Sequence, residues 1–108
     1  MFEKTFQALR VRKAHSWWGR LRGLLGRLTL PLEEALWLKP CSSIHTIGMM
    51  FTIDVVFLNS ANIITGLKRN VRPFNFAFAP KGCDSVLELA AGGANHYGLE
   101  VGDELKLD

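Results

Sequence analysis

The sequence predicts an α+β fold that is mainly β, a small barrel-like antiparallel or mixed sheet with one principal helix. Two observations lead to this fold class. Several short apolar runs have a two-residue period, which is typical of strands, whereas one segment changes to the helical period. The length of 108 residues provides for one hydrophobic core, so we expect a single domain over residues 1–108.

The first third of the chain holds a strand and the helix. Residues 6–13 partly alternate between apolar and polar, which predicts a strand with imperfect register. From Ser16, a plausible N-cap, the apolar residues share one helical stripe, which predicts a helix over about 16–28. Pro31 then stops the helix or begins the next connection. The stripe consists of Trp17, Trp18, Leu21, Leu24, Leu25 and Leu28.

The middle of the chain holds the strongest strand. A short strand over 35–39 precedes a polar loop over 41–48. Residues 49–58 are apolar at every odd position, and their one charge is Asp54, so both faces are at least partly covered, as in a central strand. The segment from Asn59 to Asn62 predicts a tight turn into a strand over 63–67, which makes a hairpin.

The last third contains shorter elements. Phe74, Phe76 and Phe78 alternate with small or polar residues, which indicates an aromatic strand face or an extended edge, more often core than ligand contact. Residues 85–89 and 104–107 predict two further strands, with a short helical turn near 91–98 between them.

Composition and charge restrict the class of protein. Apolar residues make up 48% and charged residues 21% of the chain, as in ordinary globular domains. No apolar run approaches the ~18 residues of a membrane span, so we expect no membrane partner. The N-terminus lacks the pattern of a signal peptide and two cysteines are too few for a disulfide scaffold, so we expect a cytoplasmic protein.

Basic residues concentrate at the N-terminal end and acidic residues at the C-terminal end. This asymmetry is explained either by pairing of the two ends or by a basic, anion-binding face. Three glycines lie on the side of the predicted helix opposite its apolar stripe, and Arg20, Arg22 and Arg27 form a basic flank beside them. Those glycines let the helix pack closely against a strand, or they form the contact surface of a protein-interaction module.

The polar loop and the strongest strand together supply the candidate site. We expect a small ligand or an anion to bind at a polar cluster beside the central strand. A buried carboxylate needs partners, so Asp54 is either a structural anchor or part of this site. Glu88 is a second acid within a strand. It either belongs to the site, faces solvent or pairs with the basic flank. The candidate ligand-binding residues are Cys41, His45, Thr46, Asp54 and Glu88.

The alternative to a ligand-binding protein is an enzyme. Cys41 and His45 have a spacing that suits a hydrolase-type thiol and imidazole pair, with a carboxylate to orient the ring. A metal would need further ligands from Cys83, His15 or His96, and no recognised zinc spacing is present, so we expect neither a metal nor a cofactor. Nucleic acid is not an expected partner, because no reading motif accompanies the basic cluster.

Five segments give the chain a resemblance to a known family. In chain order they are Arg22-Gly-Leu-Leu-Gly-Arg27, Cys41-Ser-Ser-Ile-His45-Thr46, Met50-Phe-Thr-Ile-Asp54-Val-Val-Phe57, Ser85-Val-Leu-Glu88-Leu-Ala-Ala-Gly92 and Gly102-Asp103. With these segments in this order, the chain resembles the uncharacterised family catalogued as domain of unknown function 192. The resemblance implies a compact β-rich fold with one helix, and it implies no established activity.

The resemblance also bears on the candidate site. Another branch of the family carries a Trp-Met-x-Asn-Thr type run where this chain has His45-Thr46, and it keeps the acid that corresponds to Asp54. This implies that Cys41 and His45 are not a catalytic apparatus common to the family. Many members of the family are exported, whereas we expect this chain to be cytoplasmic.

Overall fold

Nine strands and one short helix make up the described part of the protein. The computed structural model describes residues 3–5, 10–14, 30–39, 43–45 and 51–107. The helix predicted over 16–28, with its glycine side, lies outside these residues. The strands are β1 Glu3–Thr5, β2 Arg10–Ala14, β3 Glu34–Leu38, β4 Ser43–His45, β5 Ile53–Leu58, β6 Ile64–Val71, β7 Phe76–Phe78, β8 Ser85–Ala90 and β9 Glu104–Lys106. Helix α1, Gly93–His96, lies between β8 and β9.

A five-stranded mixed sheet in the order β2-β3-β8-β5-β6 forms the centre of the fold. Its strands are antiparallel to their neighbours except for β2, which is parallel to β3. A parallel pair, β1 with β9, and an antiparallel pair, β4 with β7, complete the strands. The predicted class, α+β and mainly β with a mixed sheet, is confirmed. The sheet is barrel-like only loosely, because its outer strands β2 and β6 do not pair with each other within the described part.

Strand β5 is central because both of its faces are covered. All six of its residues are buried, as expected for a strand that is apolar on both sides. One face of the sheet packs against Ala77 of β7, and we call it the β7 face; the other packs against Ala94 of α1, and we call it the α1 face. The β7 face carries Leu36, Leu38, Ile53, Val55, Phe57 and Val86. The α1 face carries Ala35, Trp37, Val56, Leu58, Leu87 and Leu89.

The predicted hairpin is present, and its turn is held by one side chain. The Asn59 Oδ1 atom accepts hydrogen bonds from the N–H groups of Ala61 at 2.9 Å and Ile63 at 3.0 Å. Asn62 has a φ of 60°, a left-handed conformation that asparagine tolerates well. Strand β6 then continues to Val71, four residues beyond the predicted end at 67. The hairpin is therefore longer than its apolar pattern indicates.

Helix α1 confirms the predicted helical turn and ties the end of β8 to the rest of the domain. Gly92 at its N-cap has a φ of 87°, which favours glycine because it has no Cβ. The hydroxyl of Tyr97, just after α1, donates a hydrogen bond to the Leu32 carbonyl at 2.9 Å. In the part of the chain that the structure describes, no helix is long and apolar enough to cross a membrane.

Candidate functional site

Asp54 lies opposite a bulge in strand β6. Residues 69 and 70 of β6 together oppose Asp54 alone, so one extra residue interrupts the ladder. Asn70 adopts a φ of 56° in this bulge. Its N–H donates to Asp54 Oδ1 at 3.0 Å. The carboxylate therefore takes up a backbone donor in the bulge.

The second oxygen of the same carboxylate holds the start of α1. Asp54 Oδ2 accepts hydrogen bonds from the Gly92 N–H at 3.1 Å and from the Ala94 N–H at 3.0 Å. The first N–H groups of a helix have no partner within it, and Gly92 has no side chain to cap them. Asp54, which is 1% exposed, thus joins the β6 bulge to the helix from the central strand. In this structure it is an anchor whose two oxygens are both occupied.

Glu88 is fully buried, but it lies on the other side of the sheet from Asp54. It pairs in register with Val55 and Leu36, which belong to the β7 face. Asp54 pairs with Leu89, which belongs to the α1 face. Directly opposed residues of paired strands point to the same side. One pocket therefore cannot contain both carboxylates, and a site can include at most one of them.

The remaining candidate residues lie wholly or partly outside the described residues. Cys41, Thr46 and the basic flank of Arg20, Arg22 and Arg27 are outside the described residues. His45 ends strand β4 and pairs in register with Phe76, and its side chain is outside the described part. A convergence of these groups on Asp54 or Glu88, and a Cys41 and His45 pair, therefore stay predictions.

Cys83 is a thiol, not half of a disulfide. Its Sγ atom donates to the Ser85 carbonyl at 3.2 Å. Burial raises the pKa of the Cys83 thiol, which keeps it protonated and weakly nucleophilic near neutral pH. Among the residues that the structure describes, no group of three or more histidine, cysteine, aspartate or glutamate side chains could hold a metal ion.

A cleft opens where strand β6 ends and the chain turns towards β7. Its volume is about 170 Å³. Two cations and an aromatic ring line it together with two amides and one apolar side chain. The lining residues are Lys68, Asn70, Val71, Arg72, Asn75 and Phe76. We call this recess the β6–β7 cleft. Its lining combines an aromatic ring with two positive charges, which suits a ligand with a flat part and an anionic group.

The rim of the β6–β7 cleft is fixed from two directions. Asn70 belongs both to the lining and to the bulge that Asp54 holds. In the connection from β6 to β7, the Asn75 Nδ2 group donates to the carbonyls of Arg72 at 3.3 Å and Pro73 at 3.0 Å, which ties the connection into a tight turn. Asp54 is therefore linked to the cleft through the backbone of Asn70 and does not line it.

Three aromatic side chains next to the cleft face solvent. Phe74, Phe76 and Phe78 are 71%, 53% and 78% exposed. The expectation that this aromatic strand is core is therefore wrong, because Ala77 is the β7 residue that packs against the sheet. The rings of Phe76 and Phe78 stack with 6.0 Å between centroids and 12° between planes. We call Phe74, Phe76 and Phe78 the phenylalanine surface.

The β6–β7 cleft was not among the sites that the sequence pattern suggests, although a signal for it exists. Residues 59–82 contain Lys68, Arg69, Arg72 and Lys81 and no aspartate or glutamate. An acid-free segment with several cations and alternating phenylalanines is typical of a surface for anions. The larger excess of basic residues in the first 27 positions makes this second basic segment less conspicuous in the sequence.

Comparisons with known proteins agree with the resemblance. The family described as "Uncharacterized ACR", domain of unknown function 192, matches residues 2–107. A UPF0127 protein of Thermococcus sibiricus is 34% identical over 102 residues, which are 89% of this chain and 64% of that protein. The chain therefore spans a little less than two thirds of this relative.

Two solved structures share the fold. One is a protein of unknown function from Novosphingobium aromaticivorans, with a TM-score of 0.77, 21% identity, and coverage of 87% of this chain and 71% of that one. The other, from Sinorhizobium meliloti, is described as a candidate transcription regulator; its TM-score is 0.77 at 21% identity, with coverage of 87% and 78%. At this identity the likeness shows the fold alone. With the family match over nearly its whole length, the chain belongs to the uncharacterised family domain of unknown function 192.

Proposed function

We propose that the protein binds a small ligand with an anionic group in the β6–β7 cleft. The observation that carries the proposal is that Lys68, Arg72 and the ring of Phe76 line one recess of about 170 Å³. The anionic group would meet the ammonium of Lys68 and the guanidinium of Arg72. A flat part of the ligand would lie against Phe76. This retains the predicted binding of a small ligand or anion, at a different place beside the sheet.

The charge around the cleft supports an anion as ligand. Among the described residues, Lys68 has no ion pair, and no acidic residue lines the cleft. A guanidinium offers several N–H donors in a plane, which suits phosphate or carboxylate groups, and an ammonium adds a compact charge.

The rigidity of the rim supports a binding site in the same way. Asn70 is held by Asp54, and the turn after Arg72 is held by Asn75. A rim that is already ordered loses little conformational entropy when a ligand binds, so more of the interaction free energy appears as affinity. The anchoring role of Asp54 therefore contributes to binding indirectly.

The lining favours binding over catalysis. The side chains around the cleft are cations, amides, one aromatic and one aliphatic group, with no thiol, imidazole or carboxylate among them. Such a lining provides no nucleophile with a neighbouring general base. A hydrolase-type reaction of Cys41 with His45 and a protein-interaction role for the glycine side of the predicted helix are separate predictions that involve other parts of the chain.

A chemical-shift titration tests the proposal. The uniformly ¹⁵N-labelled protein is titrated with inorganic phosphate, with AMP and with adenosine as the uncharged counterpart. We expect phosphate and AMP to shift amides of residues 68–76, and AMP to bind more tightly than adenosine. Shifts that leave residues 68–76 unchanged would contradict the proposal.

Paired substitutions make the test specific. In the double variant Lys68→Ala with Arg72→Ala, the affinity for AMP should decrease by about tenfold or more, because both charged partners are lost. Lys106→Ala removes an exposed cation from β9, outside the cleft, and is the matched control. Equal loss in the control and in the double variant would show that net charge, and not the cleft, determines binding.

A cytoplasmic location is part of the same proposal. Two cysteines provide for one disulfide at most, and Cys83 is a thiol in the structure, which agrees with a reducing compartment. Cell fractionation with an antibody against the protein tests this. Recovery from the periplasmic or extracellular fraction would contradict it.

A further inference from the structure

We infer that the ligand of this region is single-stranded nucleic acid, with bases stacked on Phe76 and Phe78 and phosphates held by Lys68 and Arg72. This departs from the sequence-based expectation that nucleic acid is not a partner, which considered only the N-terminal basic cluster. The inference rests on the proposed function, because it uses the same β6–β7 cleft as the anion site. It adds Phe74 and Phe78 of the phenylalanine surface, which do not line the cleft and which a ligand confined to the cleft would leave uncovered. A strand of several nucleotides can occupy both.

The arrangement of the rings suits bases. Phe76 and Phe78 are two residues apart on β7, so their side chains point to the same side of the strand. Their planes are 12° from parallel, so a base stacked on one ring is nearly parallel to the other. Aromatic side chains on neighbouring strand positions are a recurring platform for unpaired bases, and stacking tolerates any sequence.

The exposure of these rings has no explanation in the packing of the described part. Burying a phenylalanine is favourable, yet Phe76 and Phe78 are 53% and 78% exposed while Ala77 between them is buried. Phe74 is 71% exposed and has a φ of 62°, a strained conformation for a bulky residue. Strain that supports no core contact is a common feature of binding surfaces.

Charge complementarity selects the occupant. Along the sequence, the phenylalanine surface lies between the cations of the cleft and Lys81, within a segment that has four cations and no acids. A nucleic-acid strand has flat bases and a negatively charged phosphate at each nucleotide, which match the exposed rings and the cations of this surface. In a duplex the faces of the bases are already stacked on each other, so rings of this kind favour single strands.

Binding of labelled oligonucleotides tests the inference. Fluorescence anisotropy is recorded with the full chain and a 12-nucleotide oligo(dT) or oligo(U), with a hairpin duplex of equal charge for comparison. We expect the single strands to bind more tightly than the duplex. Phe76→Ala and Phe78→Ala should each weaken binding by about tenfold, which is the usual effect of losing one stacked base.

Two further variants separate stacking from other causes. Phe78→Leu keeps an apolar side chain without a flat ring, so it should also lose affinity, whereas a merely hydrophobic contact would tolerate it. Val101→Ala changes a residue that is 62% exposed elsewhere on the surface and should have no effect. Lys68→Ala should reduce the slope of log affinity against log salt by about 0.7, as for one phosphate contact of a single strand.

The outcomes also distinguish this inference from the proposed function. If phosphate and AMP shift residues 68–76 but oligonucleotides bind no better than AMP, the cleft is an anion site and the nucleic-acid inference is wrong. If neither binds, both are wrong. Co-sedimentation with phosphatidylglycerol vesicles covers the remaining source of negative charge; binding to vesicles without binding to oligonucleotides would overturn the inference in favour of a lipid surface.

Discussion

Replacing Asp54 with alanine removes the acceptor of backbone N–H groups from Asn70, Gly92 and Ala94. The Ala94 donor is buried, and leaving it without an acceptor costs about 2 kcal/mol. The other two donors are part-buried and can regain some hydration, which reduces the cost to about 1 kcal/mol each. We therefore expect Asp54→Ala to lower the free energy of unfolding by about 4 kcal/mol.

Asp54→Asn separates the number of acceptors from the presence of a side chain. An asparagine can keep its oxygen towards Gly92 and Ala94, but its NH₂ group then faces the Asn70 N–H. One hydrogen bond is lost, so the expected decrease is about 1–2 kcal/mol. The matched control is Asp84→Asn, which removes a surface ion pair with Lys39 at 3.8 Å, where the decrease should stay below about 1 kcal/mol.

Urea unfolding followed by circular dichroism measures all three variants. The midpoint and the slope are both needed, because a changed slope would indicate a change in the unfolded or native ensemble. For a domain of this size, the loss in Asp54→Ala should lower the melting temperature by roughly 10–20 °C. If Asp54→Ala destabilises no more than Asp84→Asn, the reasoning is refuted, because the three contacts then contribute nothing measurable.

Three further predictions concern other residues. Burial, and to a smaller extent the charge of Glu33, raises the pKa of Tyr97, so the unfolded chain loses the phenol proton first. This contribution to the free energy of unfolding is present below the unfolded-state pKa of about 10 and should be lost as the pH rises above it. Melting temperatures measured across that pH range should therefore decrease less in Tyr97→Phe than in the unchanged protein. Because burial also raises the pKa of Cys83, alkylation by iodoacetamide at neutral pH, measured in a variant whose other cysteine is serine, should be slower than in urea; equal rates would contradict this. Gly66→Ala would place a Cβ atom 2.8 Å from Pro80 Cγ, so we expect a loss of about 1–3 kcal/mol in urea unfolding, and an unchanged midpoint would show that the proline can move.

Period and composition predict most of the described strands, because each of these has its own local pattern. The exceptions are β1, for which no strand was predicted, and β4, which lies within the segment predicted as a polar loop over 41–48. Strand β5 was predicted as central from its apolar residues on both faces, and all six of its residues are buried. The bulge opposite Asp54 could not be predicted in this way. It depends on how β6 pairs with β5, and register between strands has no signal within either strand alone.

The same limit explains the candidate site. The sequence marks Asp54 as the one charge of an apolar strand, but two of its three donors lie 38 and 40 residues away at a helix start. Whether Glu88 and Asp54 lie on the same side of the sheet depends on which residues of neighbouring strands are paired. The sequence therefore does not show whether the two acids share a pocket. The alternation at Phe76 and Phe78 likewise shows that the rings share a side, not that this side faces water.

The burial of β5 on both sides restricts how the β5–β6 hairpin tolerates insertions. Shifting β5 by one position would move Asp54 among the aliphatic and aromatic groups of the β7 face and turn Ile53 and Val55 towards α1. A carboxylate there would lose its backbone donors at Asn70, Gly92 and Ala94 together. Asp54 therefore also fixes the register of the hairpin, since one alignment satisfies the carboxylate and a slip by one residue leaves it without these donors on the face that already holds the buried Glu88.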